Sequence, residues 1–184
     1  MPETDTFVAK IFIRGSLDAV WREITKTDEV QGAMFNMRMH TTGLALGGHI
    51  QMRTDDGKYT GVVGEILEYD PPHRYSHTFR FTQHDDPQCV VTYDLKEVDG
   101  GVEFTLTSSE VTLGTKTAKQ MKSGGDFICK TLKAIVETGR PKLHVRLIYG
   151  VFRMLAFTSP AHTRSEHWPL EAGASDTAET TQPV

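Results

Sequence analysis

The stretch from Tyr59 to Phe81, YTGVVGEILEYDPPHRYSHTFRF, most constrains what this chain can fold into. Tyr75, His77, Phe79 and Phe81 alternate with Arg74, Ser76, Thr78, Arg80 and Thr82, the period of a strand with one buried face. The preceding run from Val62 to Leu67 is β-rich but alternates less cleanly, and its Gly61 and Gly64 predict a bulge or a close backbone approach. Asp70-Pro71-Pro72 separates the two runs. Its prolines fix two φ angles and remove two backbone donors, so neither strand continues through them. Asp70, preceding a proline, is held extended or in a turn. The stretch is an antiparallel pair with a rigid corner.

The same reasoning extends along the chain. Phe7, Ala9, Ile11 and Ile13 share one face of a first strand over 7–14. Ser16 caps a helix whose Leu17, Val20, Trp21 and Ile24 recur at i, i+3, i+4 and i+7. A second short helical turn is expected over 27–33. Strands follow at 37–41 and 49–54, joined by the glycine-rich GLALGG, and Asp55-Asp56-Gly57-Lys58 reads as a hairpin turn. Cys89, Val91, Tyr93 and Leu95 alternate on one strand, and Val102, Phe104, Leu106 and Ser108 on the next. From Thr115 the period becomes helical, with Met121, Gly124 or Gly125, Ile128, Leu132 and Ile135 in one stripe. Gly139 stands at the C′ position and Arg140-Pro141 stops the helix. Gly124-Gly125 costs about 1 kcal/mol per glycine in a helix, so close packing, a kink or the approach of a ligand is expected there.

These elements define an α+β fold: a curved antiparallel meander of six to seven strands wrapped around one long C-terminal helix, with two short helices after the first strand. The expected organisation is a frayed segment at 1–6, the domain at 7–140, an amphipathic extension at 141–170 and a disordered tail at 171–184.

At this point the chain resembles a known family. The element order, with GEILEYDPPHRYSHTF at the turn, is similar to the START-like helix-grip (SRPBCC) superfamily, and within it to the bacterial branch related to the activator of the heat-shock protein 90 ATPase. The matching features are Gly64, Ile66, Leu67, Asp70, Pro71, Pro72, Arg74 and Thr78-Phe79, with Ser16 through Val20-Trp21 as the N-terminal match. Phe79 stands where tryptophan is common in the branch. The resemblance spans 7–138 and implies a hydrophobic cavity between sheet and helix. Relatives include lipid binders, cyclases of aromatic polyketides, stress-linked proteins and co-chaperone domains; a shared fold transfers none of these activities by itself.

The implied cavity wall comprises His77, Phe79, Phe81, Val91, Tyr93, Phe104, Leu106 and Ser108 from the sheet and Met121, Ile128 and Leu132 from the helix. His77, on an apolar face, is a candidate general base or polar anchor, and Tyr93 and Ser108 supply hydroxyls. Glu65 has an ambiguous facing; turned inward, it pairs with His77 as acid and base. His73 and His77 lie about 13 Å apart along a strand, too far for one ion, so no metal is expected. No phosphate loop, nucleophile elbow or dinucleotide fingerprint occurs, and no cofactor is expected.

Composition narrows the partners. With 20 basic and 24 acidic residues the formal charge is −4, which does not recruit nucleic acid. The N-terminal MPETDTFVAK lacks an apolar signal-peptide core, and no run reaches the ~18 apolar residues of a membrane span, so a cytoplasmic protein is expected. Cys89 and Cys129 read as small buried apolar residues. KLHVRLIYGVFRMLAF, residues 142–157, is a basic amphipathic segment fit to pack on its own domain, a second copy, a protein partner or a membrane surface. TSPAHTRSEHWPLEAG is placed to strap back over the domain through Trp168 and Leu170. The leading reading is a non-enzymatic binder of a small hydrophobic or lipid-like molecule. The rivals are a chaperone-cofactor-like interaction module and a cyclase, dehydratase or hydrolase using His77.

Overall fold

The computed structural model describes residues 3–170. Eight strands form one strongly curled antiparallel sheet in the order β1-β8-β7-β6-β5-β4-β3-β2. They are β1 (Thr4–Ile13), β2 (Val30–Gln31), β3 (Met37–Thr41), β4 (His49–Arg53), β5 (Thr60–Asp70), β6 (Arg74–Phe81), β7 (Cys89–Val98) and β8 (Gly101–Thr112). Strands β2 to β8 are a meander, and β1 closes the far side by pairing with β8. The helices are α1 (Leu17–Thr25), α2 (Lys116–Thr138) and α3 (Leu143–Leu155). Helix α2 lies across β1 and β8, and α1 packs against α2. This is the helix-grip arrangement, with one strand more than expected.

The anticipated corner is present. β5 ends at Asp70, β6 begins at Arg74, and the His73 N–H donates to the Asp70 carbonyl at 2.8 Å. The α2 boundaries are those its residues call for. Thr115 Oγ1 accepts from the Ala118 N–H, and Gly139 at φ 76° closes the helix by donating to the Ile135 carbonyl at 2.7 Å. A β-carbon on Gly125 would meet the Ala9 methyl at 3.1 Å, so this glycine lets α2 lie close on β1. Gly124 has open space around its α-carbon.

Two expectations need correction. The helical turn over 27–33 is absent; Val30 and Gln31 pair instead with Arg38 and Met37. Phe35 and Asn36 adopt φ of 55° and 59°, the left-handed values that turn the chain back into β3. The expected fraying over 1–6 does not hold for Thr4 to Thr6, because Thr4 and Asp5 pair with Thr112 and Val111 on β8. The expected tail at 171–184 lies outside the described residues.

The core runs along the inner face of the sheet. Ile13, Val20, Ile24, Ile66, Tyr75, Phe104, Val102 and Leu132 are essentially inaccessible. Cys89 and Cys129 are buried free thiols. Residues beyond α3 return along the outer face as a strap. Thr60 Oγ1 donates to Ser165 Oγ at 3.0 Å, Arg53 Nη2 to the Trp168 carbonyl at 3.0 Å, and Gln51 Nε2 to the Pro169 carbonyl at 3.2 Å. Arg80 lies over the Trp168 ring at 5.2 Å.

Candidate functional site

Strand register determines which side chains meet. Ile66 pairs with His77, His77 with Val91, and Val91 with Ser108, so these four form one row across the inner face. Tyr69, Tyr75, Tyr93 and Leu106 form the adjacent row. The alternation that marks β6 as half-buried therefore delivers Tyr75, His77, Phe79 and Phe81 to the side facing α2. Tyr93 stacks on Tyr75 at 5.4 Å and lies 5.8 Å from the His77 ring. Tyr75 lies 5.1 Å from the same ring.

The residues expected to line a cavity divide by depth. Val91, Tyr93, Phe104, Leu106, Ser108, Leu132 and His77 are buried, with His77 only 3% exposed. Phe79, Phe81, Met121 and Ile128 are half-buried and pack against the same core, forming its rim. Phe79 and Phe81 meet edge to face at 4.7 Å. Ser108 Oγ points at Met121 Sδ across 3.6 Å, joining sheet to helix.

Glu65 does not join them. Because Ile66 shares the face of His77, its neighbour Glu65 projects to the outer face, where it is exposed and sits opposite His49. The acid–base pairing of Glu65 with His77 is thereby ruled out. Glu65 instead lines an open outer cleft of about 710 Å³ with His49, Gln51, Arg80, Asp86 and Pro169.

Tyr75, which is not among the expected site residues, also belongs to this face. Its hydroxyl is buried with no hydrogen-bond partner, although the ring is only 1% exposed. Buried hydroxyls normally find partners, and an unmade bond costs about 1–3 kcal/mol. The alternation of β6 placed Tyr75 beside His77, but nothing local revealed that its hydroxyl would be left alone.

The inner face is electrically neutral. Burial pushes the His77 pKa down to about 4, against the opposing effect of its bond to the Thr78 carbonyl. That bond, 2.7 Å from Nδ1, requires Nδ1 to carry the proton, so Nε2 holds the lone pair. Burial, with Tyr93 and Tyr69 nearby, raises the Tyr75 phenol well above its ordinary value, and burial raises Tyr93 as well. Burial also pushes the Cys129 thiol up to about 12. At neutral pH the face thus offers phenol donors and an imidazole acceptor among apolar walls, with no charge. Among the described residues no three His, Cys, Asp or Glu side chains converge to hold a metal ion.

Residues 14–137 match the family model described as Activator of Hsp90 ATPase homolog 1-like protein. The chain belongs to that family. No curated protein matches it. Among solved structures, the family fold recurs in CalU16 from Micromonospora echinospora, with TM-score 0.60 and 18% identity over 85% of this chain and 88% of that one. A Mesorhizobium loti protein gives TM-score 0.60 at 21% identity, covering 72% of this chain and 97% of its own. The Aha1 dimer from Colwellia psychrerythraea gives 0.58 at 15%, covering 73% and 98%. At these identities the likeness shows the fold alone. The family match stops at Glu137, so α3 and the strap lie beyond it.

Proposed function

We propose that this family member binds a small neutral apolar molecule between the inner face of the sheet and α2. The observation that carries this reading is the unpartnered Tyr75 hydroxyl, buried beside Tyr93 and a neutral His77. A guest with an oxygen atom at one end satisfies the phenol, and a guest hydroxyl can donate to His77 Nε2. Apolar walls with a few placed polar groups are the usual make-up of small-molecule sites. Half-buried Phe79, Phe81, Met121 and Ile128 supply the entrance.

Binding without turnover fits the site better than acid–base chemistry. A histidine with pKa near 4 is a weak base at neutral pH, and its expected carboxylate partner lies on the opposite face. Native mass spectrometry of the purified protein, followed by thermal-shift screening of neutral lipophilic compounds, tests the reading. A retained small molecule, or a stabilising compound whose effect weakens in Tyr75→Phe and His77→Leu, is expected. No adduct and no shift across the library would overturn it.

A further inference from the structure

Helix α3 leaves its apolar side open. Val145 and Tyr149 are buried on the domain, the latter donating from Oη to the Gly32 carbonyl at 2.7 Å. The remaining apolar side chains face outward: Leu143 is 68% exposed, Leu147 64%, Met154 67% and, just past the helix, Phe157 74%. At 100° per residue Leu143, Leu147, Val151 and Met154 make one stripe, whereas Lys142, Arg146 and Arg153 run along its flank. So large an exposed apolar stripe marks an interaction surface.

The charge beside it selects the occupant. Between Glu137 and Glu166 the chain has no carboxylate, but it carries Arg140, Lys142, Arg146, Arg153 and Arg164, in a protein whose overall charge is −4. Where α2 ends and α3 begins, a cleft of about 580 Å³ is lined by Lys130, Lys133, Arg140, Lys142 and Arg146. Its carboxylate, Glu137, is already engaged by Lys133 and Arg14. A symmetric pairing of two α3 helices would set these basic flanks against each other with no carboxylate in the segment to answer them. A surface rich in phosphate answers them.

We propose that α3 docks the protein on an anionic phospholipid bilayer. The Leu143–Leu147–Met154 stripe enters the acyl boundary, and Lys142, Arg146 and Arg153 lie at the phosphates. At 13 residues the helix is too short to span and lies in the plane of the interface. The basic cleft beside it receives a lipid headgroup.

Flotation of the full chain with phosphatidylcholine vesicles, and with vesicles that also contain phosphatidylglycerol, tests this. Binding is expected only with phosphatidylglycerol, weakening as salt is raised. Arg146→Gln and Arg153→Gln should each lower partitioning roughly fivefold. Leu147→Glu with Met154→Glu should abolish it while leaving the melting temperature unchanged, since both side chains are exposed. Three results overturn the proposal: no flotation with either vesicle, equal flotation with both, or a dimer in sedimentation that Leu147→Glu dissociates. The last would assign the stripe to a second copy.

Discussion

Gly64 and Thr78 approach so closely across β5 and β6 that a β-carbon on Gly64 would stand 1.9 Å from the Thr78 carbonyl oxygen. That carbonyl is the acceptor for His77 Nδ1, and the Thr78 side chain takes the Glu65 N–H at 2.9 Å. The glycine therefore permits the strand spacing that holds the imidazole in one tautomer. Gly64→Ala must push backbone from backbone, and a loss of about 2–3 kcal/mol is expected. Gly124→Ala, in open space on α2, should instead stabilise by about 1 kcal/mol. Urea denaturation of the two variants checks both signs.

The buried imidazole makes stability depend on pH. In the unfolded chain His77 titrates near 6.5, and in the folded protein its pKa is about 4. Above about pH 6.5 both states are neutral and the group contributes no slope. Between about 6.5 and 4 the unfolded chain takes up a proton that the native state refuses, so stability falls as pH falls, by on the order of 3 kcal/mol. His40, also lowered by burial and by Arg53 and Arg38, adds a slope of the same sign. His77→Leu should flatten most of this limb in denaturation midpoints measured from pH 7 to pH 4.

The hold of the domain on α3 rests on few contacts. Tyr149 bonds to Gly32 and meets Phe127 at 6.4 Å, and Phe127 stacks on Phe35 at 5.0 Å. Tyr149→Phe leaves the Gly32 carbonyl without this donor, at a cost of about 1 kcal/mol. Tyr149→Ala should release the helix, so that trypsin cuts after Lys142 and Arg146 much faster than in the parent. Unchanged cleavage would mean that Val145 alone suffices.

The strap is held by side chains far apart in sequence. A double-mutant cycle between Arg80 and Trp168 should return a coupling of about 0.5–1 kcal/mol for the cation over the ring. Trp168→Ala alone should cost more than that coupling, because its Nε1 also donates to the His162 carbonyl at 2.8 Å.

Much of this was legible in the chain because it is local. Period-two alternation assigns Tyr75, His77, Phe79 and Phe81 to one face whatever that face meets, and Pro71-Pro72 and Gly139 end elements through their own backbone limits. The helical turn expected over 27–33 gives way to strand pairing, because Val30 and Gln31 bond across to Arg38 and Met37 of β3. The facing of Glu65 was ambiguous because a glycine-bearing run blurs the alternation, and only the pairing of Ile66 with His77 decided it. Thr4 and Asp5 are ordered by β8, more than a hundred residues away.

The sequence by itself determined the long strands, helices α1 and α2 and the side chains that share a face where the alternation is clean, since backbone geometry sets these within a few residues. Tertiary structure alone decided what each face meets: that the Tyr75 hydroxyl finds no partner, that burial keeps His77 neutral, and that one side of α3 stays open. Those outcomes depend on desolvation and on distances between strands and helices remote in the chain, and no local pattern of residues encodes them.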